Sequence, residues 1–257
     1  MGHLVHMRLP RPVARRIVKW FAKTYEIDVD AADKPLHDYP SVGHFFIRDL
    51  REGLRPIEGE FVSPVDGTLR NFGEVKDGRL EQIKGKSYTL RRFLSDEENA
   101  ARYENGFFFN LYLSPQDYHH VHSPAGGGIV RSVHIPGKLW PVNDWSLANI
   151  DELFSINERV VTYIDGALGR VAVVMIGATN VGKISVAYDS FLSNVTGTKT
   201  PAIRDYVPPI PIAPGDRLGT FHMGSSVVVL VEPGHIPPAA VLPTPATKVR
   251  YGQNLLS

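Results

Sequence analysis

The stretch 227–231, Val-Val-Val-Leu-Val, constrains the fold of this chain more than any other feature. β-Branched and apolar residues favour a strand, and residues 226–231 are predicted to form one. The pair Gly224-Ser225 precedes this strand, where a turn would lead into it. Because glycine has no Cβ, its backbone tolerates strained conformations, and an oxygen can approach the Gly224 carbonyl closely. The Ser225 hydroxyl is the nearest such oxygen, although Gly-Ser pairs also occur in ordinary turns.

Two upstream segments carry further reactive side chains. Asp66 stands where an apolar stretch ends at a turn, and three histidines, His119, His120 and His122, occupy four consecutive positions with one gap. A carboxylate, a histidine and a serine can supply an orienting group, a base and a nucleophile. Two alternatives stay open: Asp66 as a plain turn residue, and histidines that face solvent or bind metal. A metal site is disfavoured because no familiar ligand spacing occurs and cysteine is absent.

Composition favours a β-rich α+β fold. The chain has 257 residues, 43% of them hydrophobic, which suffices for one domain or a closely packed pair. Its 23 glycines and 20 prolines favour short strands and turns over long helices. We expect N-terminal amphipathic helices, then a mainly antiparallel sandwich or barrel-like core with lipoyl-like strand features. The predicted strands are residues 67–75, 107–113, 128–135, 159–164, 171–176, 182–187 and 226–231. Short helices are predicted over 41–50 and within 92–103, and a surface loop over 232–247.

The N-terminal segment is predicted to form a basic amphipathic helix. Pro12 suits its first turn, and helical spacing relates Val13, Ile17, Trp20, Phe21 and Thr24. Such a helix with an interfacial tryptophan can lie on an anionic bilayer, or it can simply pack on its own domain. No run approaches the roughly 20 apolar residues of a membrane-spanning helix. The basic residues before the first acidic one, Glu26, are Arg8, Arg11, Arg15, Arg16, Lys19 and Lys23.

These segments together resemble the phosphatidylserine decarboxylases, which carry a self-generated pyruvoyl group. Met223-Gly224-Ser225-Ser226 is similar to the family's Leu-Gly-Ser-Thr processing motif. The segment 117–124, Asp-Tyr-His-His-Val-His-Ser-Pro, is similar to its Asp-Tyr-His-x-x-His-x-Pro motif. The resemblance extends over residues 17–256, and its further ordered segments are 45–48, 55–57, 137–143, 153–159 and 177–182. The departures are Met223 for leucine, Ser226 for threonine, and residues 213–216, where many members have a lysine before the glycine.

The resemblance implies a role for four residues: Asp66, His119, His122 and Ser225. His122, held by Asp66, would be the base that lets Ser225 attack the Gly224 carbonyl. The resulting cleavage would give a β chain of residues 1–224 and an α chain of residues 225–257, which begins with the pyruvoyl group derived from Ser225. The short chain cannot hold a core alone, so it would stay within the long one. His119 would serve decarboxylation, while Asp117 and Tyr118 position the loop and His120 needs only to be positive or solvated.

The implied reaction converts phosphatidylserine into phosphatidylethanolamine and carbon dioxide, through a Schiff base between the headgroup amine and the pyruvoyl group. No metal and no nucleic acid are expected. The implied partners are phosphatidylserine and an anionic membrane surface, and the mature form is a heterodimer of the two cleavage products, with a higher homo-oligomer left open. A lipid substrate favours the membrane-bound alternative for the N-terminal helix. Residues 1–50 would form a helical membrane-associating region and 51–257 the catalytic domain of a peripheral protein on the cytoplasmic face of the membrane.

Two rival functions remain. A serine hydrolase could use Ser225, His122 and Asp66 on an external ester, although the chain lacks a Gly-x-Ser-x-Gly elbow. A non-catalytic lipid-binding or lipoyl-like module would need neither His119 nor the Gly-Ser bond. Both rivals predict that the chain stays intact.

Overall fold

The computed structural model of the chain describes residues 10–83, 86–179, 183–190, 193, 199–222, 225–237, 240 and 242–256. The expected β-rich α+β fold is confirmed, and all seven predicted strands are present with bounds within two residues, although residue 182, where one of them was predicted to begin, lies outside the described residues. The strands are β1 (Gly67–Glu74), β2 (Arg79–Ile83), β3 (Lys86–Thr89), β4 (Phe107–Leu113), β5 (His120–His122), β6 (Gly127–Ile135), β7 (Arg159–Gly166), β8 (Gly169–Ile176), β9 (Ile184–Val186), β10 (Ala202–Ile212), β11 (Arg217–Phe221), β12 (Ser225–Val231) and β13 (Thr247–Val249).

Eight of these strands form one antiparallel sheet in the order β10-β6-β7-β8-β12-β4-β1-β13. Strand β12 lies in its interior between β8 and β4, and every one of its residues is buried. A strand covered on both faces needs apolar side chains on both, which explains the unbroken run 227–231. A second sheet, β5-β11-β9, contributes to the same core. Its Gly219 approaches β8 so closely that a Cβ would lie 2.8 Å from the Met175 sulfur.

The large sheet stays open, because β10 and β13 form its two edges and do not pair with each other. The core is therefore made of packed sheets and is not a closed barrel. Strand β10 is absent from the sequence prediction because Pro208, Pro209 and Pro211 lie within it. A proline cannot donate to a strand ladder, but an edge strand tolerates it where the missing N–H would face outward.

The helices are short apart from the first. The predicted helix over 41–50 ends early, at Phe46, and Ser41 caps it by accepting a hydrogen bond from the His44 N–H. The predicted helix within 92–103 is two helices, separated by Ser95 in a left-handed conformation. The helices are α1 (Arg11–Thr24), α2 (Val42–Phe46), α3 (Leu90–Leu94), α4 (Glu97–Arg102), α5 (Asp144–Asn149) and α6 (Leu153–Ile156), with a 3-10 turn at Leu36–Asp38.

Helix α1 has one buried and one exposed apolar face. Val18 and Phe21 are buried in a small cluster that also contains Phe45 and Phe46 of α2. Val13, Ile17 and Trp20 are exposed, and their spacing of four and three residues places them on one stripe. Phe21 therefore belongs to the packed face and not to the exposed stripe. Within the described part of the chain, no helix has the length and apolar content that crossing a membrane requires.

Candidate active site

Ser225 is the first residue of β12 and lies opposite Leu113 of β4. It is fully buried, and its hydroxyl has no hydrogen-bond partner in the described part of the chain. It also lines a cavity of about 250 Å³. Gly224 and Met223, which complete the predicted processing motif, lie outside the described residues. The structure thus describes only the serine side of the Gly224-Ser225 bond.

Several regions of the fold surround the cavity at Ser225. Helix α1 contributes Phe21, Tyr25 directly follows this helix, and α2 contributes Phe46. Residues 141–143 form another wall, and Thr179 lies beside them. The lining is mostly apolar with a few polar groups, which is typical of small-molecule sites. Ser225 itself is fully buried, so a charge at its hydroxyl would interact with neighbouring charges more strongly than in solvent.

His119 lies close to this cavity. Its Nε2 donates to the Ser114 carbonyl at 3.1 Å, and Ser114 directly follows Leu113, the strand partner of Ser225. The imidazole stacks on Phe46, with ring centroids 3.9 Å apart, and Phe46 also lines the cavity. Since Nε2 carries the proton, Nδ1 holds the lone pair, and it has no partner among the described residues. Burial, with the nearby Arg48 charge, lowers the pKa of His119 well below its ordinary value.

His122 has different surroundings. Its Nδ1 donates to the Gly215 carbonyl at 2.7 Å, so Nε2 is the basic nitrogen and accepts from the Tyr118 hydroxyl at 3.3 Å. The ring stacks almost parallel on Tyr251, with centroids 3.9 Å apart. Burial lowers the pKa of His122 to about 4. The described residues include no hydrogen bond between His122 and Ser225.

Asp66 does not hold His122 directly, which differs from the sequence expectation. Its carboxylate accepts from Arg55 at 3.0 Å and 2.5 Å and from the Tyr251 backbone N–H at 2.9 Å. These donors already satisfy the carboxylate, while the Gly215 carbonyl fixes the His122 tautomer in its place. Asp66 contacts His122 only indirectly, through Tyr251. The Asp66 carboxylate binds the Tyr251 backbone N–H, and the Tyr251 ring stacks on the His122 imidazole.

His120 is neither solvated nor positioned as a free cation, so the sequence expectation for it is wrong. It is buried, with Nδ1 2.8 Å from the Thr220 hydroxyl and Nε2 3.0 Å from the Ile47 carbonyl. Burial lowers the pKa of His120 to about 4, which favours a neutral ring that links β5 to β11 and to the residue that follows α2. The expectation for Asp117 is confirmed, because its carboxylate accepts from the Ser114 N–H at 2.7 Å and thereby closes the loop.

Asn157 supports the cavity wall, and sequence reasoning gave it no role. Its side chain is fully buried and accepts from the Trp140 N–H at 3.0 Å. The same amide donates to the Trp140 and Gly177 carbonyls, each at 2.9 Å. It therefore joins the two segments that lead into residues 141–143 and Thr179. Asn157 lies in a segment that carries the family resemblance, but no local pattern indicates contacts to residues 17 and 20 positions away.

Metal-binding geometry is not found in the described part of the chain, where no three His, Asp or Glu side chains cluster suitably. The residues around Ser225 do fit a carbonyl group formed from Ser225 itself. The unpaired hydroxyl is buried at the cavity, and the apolar walls leave space of small-molecule size beside it.

Comparison with known proteins assigns the family. The family model for phosphatidylserine decarboxylase matches residues 42–257. A phosphatidylserine decarboxylase proenzyme from Anaeromyxobacter sp. (strain K) is 44% identical over 99% of this chain and 91% of its own length. The proenzymes of that name from Myxococcus xanthus and Brevibacillus brevis are 41% and 37% identical, over 92% and 95% of this chain and 85% and 86% of their own lengths. The chain therefore belongs to the phosphatidylserine decarboxylase family and is a decarboxylase.

Proposed function

We propose that this chain cleaves itself between Gly224 and Ser225 and that the mature enzyme converts phosphatidylserine into phosphatidylethanolamine and carbon dioxide. The observation that carries the proposal is the placement of Ser225, buried at a mostly apolar cavity with its hydroxyl unpaired. A buried hydroxyl without a partner costs about 1–3 kcal/mol, so such a group calls for an explanation beyond stability. Ser226 and other buried hydroxyls are also unpaired, but among the unpaired serines of the described residues only Ser225 lines the cavity, and use of its hydroxyl as a nucleophile would account for this placement.

Processing requires only this chain and water. The Ser225 hydroxyl gives its proton to a base and bonds to the Gly224 carbonyl carbon. The C–N bond breaks, and the nitrogen takes a proton to become an amine, which leaves an ester. Loss of the Ser225 α-proton then breaks the Cβ–O bond, frees the Gly224 carboxylate and leaves a dehydroalanine. Its tautomer reacts with water and releases ammonia, which gives a pyruvoyl group at the new N-terminus.

His122 is the proposed base for this step. Its Nε2 carries the lone pair, and its lowered pKa keeps it neutral near pH 7. Its Nδ1 is held by a backbone carbonyl, which orients the ring as the carboxylate does in a catalytic triad. His119 is the second candidate, because its Nδ1 is unpaired and its neighbour Ser114 adjoins the strand partner of Ser225.

The pyruvoyl group would supply an electron sink for decarboxylation when it is formed at Ser225. The chain's own residues then have three tasks. The apolar walls exclude water, the sheet holds position 225, and His119 holds and returns a proton at Nδ1. His119 suits proton transfer because histidine can change charge within the physiological range when its surroundings change.

The fold is suited to keeping both products together. Strand β12 has hydrogen-bonded neighbours on both sides, β8 and β4, and β13 pairs with β1. The segment 225–257 would thus stay in the sheet as one half of a heterodimer with residues 1–224. Strand β12 could leave only by exposing its apolar residues to water, which is strongly unfavourable.

In our proposal the protein binds an anionic membrane peripherally, on its cytoplasmic face, and helix α1 provides the contact. Its exposed stripe of Val13, Ile17 and Trp20 is flanked by exposed basic side chains, and its first turn carries no acidic residue. Apolar and positive groups on one surface match the two attractions that hold a helix at an anionic bilayer. Phe21 of the same helix and Tyr25, which directly follows it, line the cavity, so the bound lipid surface would lie close to Ser225.

Processing is tested on a denaturing gel with two neighbouring serines. Ser226 is also buried with an unpaired hydroxyl, so Ser226→Ala is a matched control for Ser225→Ala. Wild type and Ser226→Ala should each separate into two fragments, whereas Ser225→Ala should stay whole and release no carbon dioxide. A Ser225→Thr variant keeps a hydroxyl and should split slowly. Cleavage of Ser225→Ala would refute self-processing by Ser225. An intact wild type that hydrolyses an ester would support the hydrolase alternative, and an intact, inactive wild type would support the binding-module alternative.

A further inference from the structure

A second group of exposed aromatic side chains adjoins the cavity wall formed by residues 141–143. Trp145 is 68% exposed and is the most exposed tryptophan of the chain; Trp140 is 42% exposed. Between them, residues 141–143 line the cavity that contains Ser225. Trp20, 63% exposed, directly precedes Phe21, which lines the same cavity. Exposed tryptophans thus flank the cavity-lining residues of two separate regions.

The backbone that carries Trp140 and Trp145 is well held. Asn157 binds both the N–H and the carbonyl of Trp140, at 3.0 Å and 2.9 Å. Asn143 caps α5 by accepting from the Ser146 N–H at 2.9 Å, and Asn149 donates to the Trp145 carbonyl at 2.7 Å. The indoles are therefore presented to solvent from a fixed support. Exposing a large apolar ring from a rigid element is unfavourable in water unless the ring meets a partner.

The charges around α5 are compatible with an anionic partner. Asp144 is paired with Arg70, Asp151 with Lys86 at 2.8 Å, and Glu152 with Arg92. The acidic side chains beside the tryptophans are thus neutralised by basic residues from other elements. On the α1 side of the cavity the exposed charges are basic. An indole, apolar with one polar N–H, is the side chain that most favours the boundary between lipid tails and headgroups.

We propose that Trp145, with Trp140, is a second membrane anchor and that it turns the cavity at Ser225 toward a bilayer containing anionic phospholipid. One anchor, the α1 stripe, would tether the protein but leave it free to rotate about that helix. A second anchor on another wall of the cavity fixes the orientation, so that a headgroup can enter while its acyl chains stay in the bilayer. This inference rests on the proposed function, because it assumes a lipid substrate.

The test compares Trp145→Ala and Trp145→Phe with Val207→Ala. Val207 is the matched control because it is 93% exposed but lies on the edge strand β10 and does not line the cavity. Each protein is floated with phosphatidylcholine vesicles that contain phosphatidylglycerol, and Trp fluorescence is measured with brominated lipids. Activity is measured on phosphatidylserine in vesicles and on a short-chain phosphatidylserine in solution.

Trp145→Ala should bind vesicles on the order of tenfold more weakly, and Trp145→Phe should restore most of the binding. Turnover of the vesicle substrate by Trp145→Ala should decline in proportion to its binding. Turnover of the soluble short-chain substrate by the same variant should stay at the wild-type level. Brominated lipids should quench less fluorescence in Trp145→Ala than in Val207→Ala. Equal vesicle binding by Trp145→Ala and Val207→Ala would overturn the inference, as would a wild-type dimer in solution that Trp145→Ala dissociates. A wild-type protein that is inactive on both substrates would instead refute the proposed function.

Discussion

His119 and His122 lie three positions apart in one segment, yet their surroundings differ in almost every respect. His119 stacks on Phe46 beside the apolar cavity and has an unpaired Nδ1. His122 stacks on Tyr251 and is hydrogen bonded at both nitrogens. The lesson is that one short motif can supply two imidazoles with different tasks, because α2 packs on one and the C-terminal segment on the other. In our proposal His122 serves cleavage and His119 serves decarboxylation.

Removal of each imidazole should have the largest effect, and the two variants should lose different activities. His119→Ala should cleave normally and lose on the order of 10²–10⁴-fold in decarboxylation, the usual contribution of a general acid or base. His122→Ala should instead remain largely uncleaved. The measurements are gel analysis of freshly purified protein and carbon dioxide release. If His119→Ala is the variant that stays whole, the base role belongs to His119 and the division of tasks is reversed.

Loss of the Asp66 charge should affect stability on the His122 side. Asp66→Asn leaves the partly buried Arg55 guanidinium without its counter-charge, and loss of hydrogen bonds to a charged group costs about 1.5–3 kcal/mol. Asp144→Asn is the control, since its side chain is 83% exposed and its pair with Arg70 is worth at most about 1 kcal/mol. Urea unfolding of both changes in a Ser225→Ala background, which stays one chain, compares the free energies of unfolding. Equal losses in the two variants would show that Asp66 has no special structural role.

Removal of the Tyr251 ring should have a smaller effect than the changes above, and only on the rate of cleavage. Tyr251→Ala removes the stack on His122 and should slow cleavage by about tenfold, because the imidazole gains freedom to rotate. Tyr251→Phe keeps the ring and should cleave within about twofold of wild type. The rate is followed by gel densitometry after expression is induced. If Tyr251→Phe cleaves as slowly as Tyr251→Ala, cleavage requires the Tyr251 hydroxyl and not the face of its ring.

The rate of cleavage should change little with pH in the range where an ordinary histidine titrates. Burial lowers the pKa of His122 to about 4, so the ring is already neutral at pH 5.5 and can act as a base. The slow Ser225→Thr variant should therefore cleave at rates within about twofold between pH 7 and 5.5. A tenfold decline through pH 6.5 would show that His122 titrates normally and is not buried as described.

The same burial has a consequence for stability with a definite sign. A histidine whose pKa is lower in the folded state binds its proton more readily when the chain is unfolded. The free energy of unfolding should thus decrease as pH falls from about 6.5 toward about 4, and His120 and His122 contribute to this decrease. Thermal unfolding of Ser225→Ala across that range provides the check.

Elements with a strong local pattern could be predicted from the sequence. The run 227–231 correctly indicated a strand, and the spacing of Val13, Ile17 and Trp20 correctly indicated a helix. Strand β10 was missed because its prolines oppose a strand everywhere except at an edge, and edge position is a property of the whole sheet.

The contacts of the site could be predicted only in part. The motifs indicated candidate residues, but the Gly215 carbonyl that orients His122 lies 93 positions away from it, and any backbone carbonyl could have served. The same holds for the Phe46 ring against His119 and for Asn157 against the cavity wall. Such contacts depend on how distant segments pack, which no local spacing records.

The central claim is that the chain is broken before Ser225 and that this residue becomes a ketone. Intact mass spectrometry of freshly purified wild type, with and without hydroxylamine, tests it most directly. We predict two masses, corresponding to residues 1–224 and 225–257, with the hydroxylamine adduct confined to the short chain. A single mass for 257 residues, unchanged by hydroxylamine in protein that decarboxylates phosphatidylserine, would contradict the account.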